Sequence, residues 1–400
     1  MSSDSAAPTN SPSLASRGGA RLRAFLRGQR PYLLDYGILG SVLAVVYFAM
    51  VKFQTQFFPD SAHYLAMSLW FSGMPRDEAL DVVMQESIAH GYEPNTDDAL
   101  LFDWGLVKPR VVLSALSVPF IWLFGSGGLA VLGALITFVL IVMLHVFLRR
   151  RYGRVAALVS LLLTMSGFAI MLFSFGMLTE SLSAVWGVIA IAIAYQYQRD
   201  RARRWLVLLV VVTLLSAFTR QATFIVAGAF VVAWLLSLFW KSERSKWTLP
   251  ALVVAGTSLG AQVLQTALFP FSQGDQYLRM TQTDNYLDAL AATPRFVLDL
   301  AIQEFTYYAT ADQVMIAFFG LSLISIVVFW RRSESHLLLG ALAGIALYNI
   351  TNGNATHFRY AIPGLVFFLA SISLLLAQLQ TTERLNRPGS AFDRETPTVA

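Results

Sequence analysis

The sequence predicts an all-α polytopic membrane protein of about ten transmembrane helices, with further helices in the first outer loop. Three observations predict it. Apolar residues gather in runs of about 15–23, the length that crosses a bilayer. Only 13% of the 400 residues are charged, about half the share of a soluble domain. The charges are also sorted, with basic clusters after alternate apolar runs and acids gathered in the segments between. This composition excludes a soluble globular enzyme and a disordered chain. The absence of cysteine excludes a disulfide scaffold and a thiolate metal site.

Residues 1–30 are rich in Ser, Ala, Gly, Pro and Arg without an apolar stretch, so a disordered cytoplasmic tail is expected. No cleavable signal peptide is expected, and the first span acts as an uncleaved anchor. A single transmembrane domain follows over 31–380, then a second polar cytoplasmic tail over 381–400. The apolar runs fall near 33–53, 129–148, 155–173, 181–198, 205–219, 222–240, 248–269, 312–330, 337–350 and 360–379. Ten spans place the clusters Arg17–Arg30, Arg149–Arg154, Arg199–Arg204, Lys241–Lys246 and Arg331–Arg332 inside, together with both termini. An eleventh apolar stretch, 109–124, carries Pro109 and Pro119. Were it to cross, the Arg149–Arg154 cluster would be forced outside. It is therefore expected at the outer surface or as a re-entrant segment. The net charge of +5 then reads as an orientation signal, and no nucleic-acid partner is expected.

Two long segments remain outside, 54–125 and 270–311. The first opens with Phe57-Phe58-Pro59-Asp60-Ser61-Ala62-His63-Tyr64 and reads as a short helix through Trp70, with Asp60, His63 and Tyr64 on one face. An amphipathic helix with Leu80, Val83, Met84 and Ile88 follows and is expected at the interface. Asp97, Asp98 and Asp103 then lead to Lys108-Pro109-Arg110. In the second segment, Thr293 is expected to cap a helix that starts at Pro294. Single charges sit at outer span ends: Glu180, Arg220, His357 and Arg359. Charges this close to hydrocarbon are costly unless paired or functional. They predict a polar groove open to the outer leaflet.

Inner loops of about four to eight residues leave no room for a catalytic domain, and no Walker or GxGxxG sequence is present. A substrate for such a groove arrives on a lipid, as a sugar on polyprenyl phosphate does. Its transfer needs a carboxylate to take the acceptor's proton and cations to hold the departing phosphate. Asp60 suits the first task. Arg220, Arg359, His357, Lys108 and Arg110 suit the second, arginine best because its charge is permanent and forked. His63, Tyr64 and Glu180 complete the groove. Simpler roles compete: Asp60 as a helix cap, Arg220 as a snorkelling side chain, Glu180 as a span end. His63 and His357 have no metal-ligand spacing.

The ordered set is aromatic-Pro-Asp-x-x-x-Tyr after the first span, Thr179-Glu180-x-Leu182, Thr219-Arg220 between two close spans, and Arg359-Tyr360-x-x-Pro363 before the last. It resembles the GT-C superfamily of membrane glycosyltransferases, which take mannose, arabinose or aminoarabinose from polyprenyl or dolichyl phosphate. The resemblance covers roughly residues 33–380. It implies an inverting sugar transfer to a glycan, lipid or protein acceptor at the outer face of the plasma membrane. It gives Asp60 the role of base or acceptor-orienting acid, Glu180 that of the acid after the third span, and Arg220 and Arg359 the donor phosphate. Ser61 stands where many members carry a second acid, and Lys108-Pro109-Arg110 replaces their Pro-Pro-aromatic stretch. These departures leave open a divalent cation and the identity of the sugar. A flippase of a lipid-linked glycan and another outer-leaflet glycan ligase or polymerase are the competing expectations.

Overall fold

The computed structural model describes residues 14–93, 97–239, 244–269, 272–352 and 355–386. Among these residues every regular element is helical. Helix α1 spans Leu14–Phe53. It begins inside the segment whose composition suggested a disordered tail, because Leu14, Ala15, Ala20, Leu22 and Arg23 are strong helix formers. Residues 1–13 of that tail lie outside the described residues.

The first connecting segment holds α2 (Pro59–Phe71), α3 (Arg76–Ala89), α4 (Asp98–Asp103) and α5 (Val111–Phe124). The bundle continues with α6 (Gly128–Tyr152), α7 (Arg154–Ser166), α8 (Phe168–Phe175), α9 (Glu180–Asp200), α10 (Arg203–Ala217), α11 (Thr223–Ser237) and α12 (Arg244–Leu268). The second connecting segment carries α13 (Gln273–Thr281) and α14 (Tyr286–Thr310). Helices α15 (Gln313–Val328), α16 (Ser333–Asn352) and α17 (Leu365–Asn386) close the chain, with a 3-10 turn over Arg359–Gly364 before the last. Helix α17 continues past the boundary set for the second tail, and 387–400 lie outside the described residues.

Among the described residues the apolar runs fall on helices, 155–173 being split between α7 and α8. Four stretches are long and apolar enough to cross a membrane: Tyr32–Phe53, Val111–Tyr152, Lys246–Leu268 and Arg359–Thr381. A fifth arises if α7 and α8, bent by 79° around Gly167, count as one. Their outward faces carry apolar side chains such as Phe48, Phe138 and Val263, a surface suited to hydrocarbon rather than water.

The stretch Val111–Tyr152 is interrupted. Helix α5 ends at Gly125, whose φ of +60° stops it, and a Cβ on Gly128 would lie 2.4 Å from the Phe120 carbonyl. Helix α5 lies along α2: Ser114 Oγ donates to Tyr64 O at 3.2 Å and Trp122 Nε1 to Ser72 O at 3.0 Å. The equal offset of these two bonds makes α2 and α5 parallel partners. The apolar stretch 109–124 thus packs with the helices of its own loop.

One further expectation is corrected. Helix α14 starts at Tyr286, capped by Asn285, whose side chain accepts from Leu287 N and Asp288 N at 3.1 and 3.0 Å. Thr293 and Pro294 therefore lie inside it, and Thr293 Oγ1 bonds back to Ala289 O at 2.8 Å. In α3 the buried side is Ala79, Val83 and Ser87, whereas Ile88 is exposed.

Helices α11 and α16 make the closest backbone approach. A Cβ on Gly340 would lie 2.2 Å from Gly228 O, and one on Gly344 2.7 Å from Ile225 Cα. This is the small-xxx-small packing by which apolar helices associate in lipid. Buried hydroxyl pairs tie other helices, Ser160 to Ser373 at 2.8 Å and Ser325 to Ser371 at 2.9 Å. At the end of the bundle away from Asp60, Asp35 is fully buried. It pairs with Arg149, with Arg154 at 2.7 Å and with His145 at 3.3 Å.

Candidate active site

Four chain segments meet where the bundle joins its two long connections. The first is the start of α2. Pro59 occupies its first helical position, and Ser61 Oγ accepts from Phe58 N at 3.0 Å. Ser61 and Phe58 thus make the cap, and the Asp60 carboxylate is free for other contacts. The second is the turn entering α9. Met177 N donates to Gln56 O at 2.9 Å, which draws Thr179 and Glu180 beside the exit of α1. The third is the turn between α10 and α11, which carries Arg220. It is anchored by Gln265 Nε2 donating to Ala217 O at 2.9 Å. The fourth is the segment before α17, which carries Arg359.

These segments build one ion-pair network. Arg359 bridges the two acids, donating from Nη2 to Asp60 Oδ2 and from Nε to Glu180 Oε1. Arg220 Nη1 donates to the same Glu180 oxygen at 3.0 Å and to Thr179 Oγ1 at 3.1 Å. Arg110 Nη1 donates to Tyr64 Oη at 3.0 Å, and that hydroxyl lies 3.4 Å from Thr179 Oγ1. Val112 N donates to Phe218 O at 3.2 Å, which fixes the start of α5 against the Arg220 turn. Arg220 also stands over the Tyr360 and Tyr348 rings, 4.8 and 5.6 Å from their centroids.

Depth grades the network. The Glu180, Arg220 and Arg110 side chains are buried, while Asp60 is 27% and Arg359 15% exposed. Buried charge persists only when paired. Here three guanidinium groups face two carboxylates, an excess of one positive charge. Arg110 Nε, Arg220 Nε and Glu180 Oε2 have no hydrogen-bond partner among the described residues. Burial pushes the Asp60 carboxyl up, but Arg359, Arg110 and Arg220 together outweigh it and hold it at about 2. Asp60 is therefore a carboxylate at neutral pH, and a weak proton acceptor while Arg359 holds it.

The other candidates lie around this network. Tyr64 is within it. His63, one residue earlier, turns away: its Nδ1–H donates to Leu101 O at 3.2 Å and its ring meets Trp104 at 5.2 Å. Burial holds its pKa below the usual histidine value, against the pull of Leu101 O and Asp60. His63 thus does not join Asp60 and Tyr64 in the network, because α4 and the residue after it supply its partners, Leu101 O and Trp104. Lys108 is not brought to the network. It pairs with Asp103 at 2.6 Å, and Asp103 also takes Arg76 at 3.1 Å. Asp97 caps α4 through Ala99 N and Leu100 N. His357 is likewise outside: its ring stacks on Tyr307 at 3.8 Å, and its backbone N–H donates to Glu304 Oε1 at 2.8 Å.

Glu304 has a role that sequence reading missed. Its Oε1 also accepts from Thr356 N at 2.5 Å, and its Oε2 accepts from Tyr308 Oη at 2.6 Å. His357 and Phe358 are left-handed, at φ +50° and +71°, a conformation that non-glycine residues hold only when their surroundings impose it. The Glu304 carboxylate imposes it on the turn that presents Arg359. Thr179 and Tyr348 were missed as well. Thr179 adjoins Glu180 in a quoted motif, whereas Tyr348 lies in an apolar run with no local signal.

Asp60 and Glu180 already share Arg359, and among the described residues no three His, Asp or Glu side chains converge as metal ligands. What the arrangement can do is bind an anion with fixed cations beside a carboxylate that opens to solvent. No family model matches the chain, and no curated protein or solved structure matches it either.

Proposed function

We propose that the chain is a GT-C-like membrane glycosyltransferase that moves a sugar from a polyprenyl-phosphate donor to a glycan, lipid or protein acceptor. The observation that carries this reading is the convergence of Arg110, Arg220 and Arg359 with Asp60 and Glu180 at one end of the bundle. An excess of buried guanidinium charge suits a phosphate, and a carboxylate at its solvent edge suits an acceptor hydroxyl.

In the proposed reaction the donor phosphate enters and competes with Asp60 for Arg359. Released from that guanidinium, the Asp60 carboxyl rises toward its ordinary range and gains basicity. The acceptor O–H gives its proton to Asp60 as its oxygen forms a bond to the anomeric carbon. The bond from that carbon to the phosphate oxygen breaks, and its electron pair leaves with the phosphate, held by Arg220 and Arg359. Attack opposite the leaving group inverts the anomeric centre.

The topology belongs to the same proposal. Ten spans with both termini inside place the network at the outer face of the plasma membrane, with α2 to α5 and α13 to α14 as its outer layer. Helix α9 supports this reading, since it runs about 30 Å from Glu180 to the Arg199 cluster, close to a hydrocarbon core.

The test supplies polyprenyl-phosphate sugars to purified protein in lipid vesicles and follows transfer. Asp60→Asn should lower kcat by roughly 10²–10⁴-fold with donor binding retained. Equal transfer by the variant would remove Asp60 from this role. Donor movement across the vesicle without transfer would favour a flippase.

A further inference from the structure

A cavity lies at the opposite end of the bundle and takes no part in the proposed reaction. It is an open trough of about 560 Å³ between α6 and α9, within the range of about 300–1,000 Å³ common for small-ligand sites. The two helices run side by side in the same direction. Thr137 meets Ser181 at 3.3 Å near the ion-pair network, and Phe147 stacks with Tyr195 near the far end. The cavity walls are apolar, formed by Val142, Val146 and Phe147 of α6 and Val188 and Ala192 of α9. Its rim carries Arg150, Arg151 and Arg199, and among the described residues no carboxylate lines it.

The three arginines differ. Arg151 donates to Glu334 Oε1 at 2.9 Å and lies over the Tyr195 ring at 3.8 Å, so its charge is answered. Arg150 and Arg199 have no ion-pair partner among the described residues, and both end a helix turn at the cavity mouth. An apolar trough capped by two unanswered guanidiniums has the chemistry of a lipid turned headgroup outward. A free phosphate would leave the apolar walls uncovered, and a zwitterionic lipid would bring its own cation up to the two guanidiniums. Basic pockets between membrane helices are where anionic headgroups bind.

We propose that this cavity binds one anionic phospholipid, its phosphate between Arg150 and Arg199 and an acyl chain along the α6–α9 wall. Its assignment to the inner leaflet rests on the ten-span topology proposed above; it does not depend on sugar transfer.

The experiment measures lipid retention by native mass spectrometry of delipidated full-length protein. Phosphatidylglycerol, phosphatidylcholine and inorganic phosphate serve as probes. Wild type should hold one phosphatidylglycerol about tenfold more tightly than phosphatidylcholine. The Arg150→Gln, Arg199→Gln double variant should bring the two lipids within about twofold at an unchanged melting temperature. Ala192→Phe fills the trough and should lose the lipid with both arginines present. Equal binding of the two lipids by wild type would overturn the proposal, as would full preference in the double variant. Displacement of the lipid by equimolar inorganic phosphate would overturn it in favour of a simple anion site. Labelling of Arg199→Cys from the outside would overturn the leaflet assignment. None of these readouts moves if the chain transfers no sugar.

Discussion

Asp60 and Arg359 show how side-chain environment sets chemistry here. The carboxyl value of about 2 lies below its ordinary 3.8, so protons bind the unfolded chain more readily than the folded one. The Asp60 charge therefore stabilises the fold in full above about pH 4, and this is lost as pH falls through about 2. The melting-temperature gap between wild type and Asp60→Asn should stay constant from about pH 8 to 5 and close between about pH 4 and 2. A gap that changes around neutral pH would mean that another group governs it. Asp60, Glu180, Arg220 and Arg359 were legible in the sequence because each is a charge at the edge of an apolar run, where it is costly without a partner. Lys108 looked equivalent by the same rule. The turn that carries it decides otherwise, sending Lys108 to Asp103 and Arg110, two residues later, to Tyr64.

Two elements hold these residues in place. The first is the α11–α16 contact, which sets Arg220, just before α11, against Tyr348 of α16. Gly340 touches the Gly228 backbone there, so Gly340→Ala should cost about 1–3 kcal/mol in a thermal melt through overpacking. Gly320 of α15 has nothing within 4 Å of an added Cβ, and Gly320→Ala should be neutral or slightly stabilising. Equal effects from the two would remove close approach as the explanation. The second element is α14, which reaches across to the Arg359 turn through Glu304. Glu304→Ala removes the acceptor for Thr356 N and His357 N, and their amide exchange should speed by about tenfold. Unchanged exchange would show that Glu304 does not hold this turn. The helices themselves were legible from hydrophobic runs, whereas the interruption after α5 falls at Gly125 and not at Pro109 or Pro119, the latter lying inside the helix. The start of α14 was not legible either. Asn285 and Thr293 are both good caps, and local chemistry does not rank them.

At the scale of the whole molecule, the chain separates its charges along the bundle. The ion-pair network sits at one end, and the Asp35 and Glu334 pairs with arginines sit at the other. The absence of cysteine makes the topology directly measurable. Single cysteines at Asp98 and Asp288 should react with a membrane-impermeant maleimide added outside intact cells. Cysteines at Arg203 and Arg332 should react only after permeabilisation. Outside labelling at Arg332 would exclude the ten-span arrangement. Helices α10, α11 and α15 are only about 15 residues of helix each, so this measurement carries weight that length alone does not.

The sequence by itself determined an all-helical chain, the positions of its apolar helices and the residues able to carry a charge network. These follow from local quantities: hydrophobic run length, helix propensity and the cost of charge beside hydrocarbon. Only the tertiary structure decided which of those charges meet. It joined Asp60 to Arg359 across 299 residues, retired Lys108 and His357 to other partners, and brought in Thr179, Tyr348 and Glu304. The physical reason is that an ion pair depends on distance in space. Helix packing sets that distance, and no local pattern along the chain encodes it.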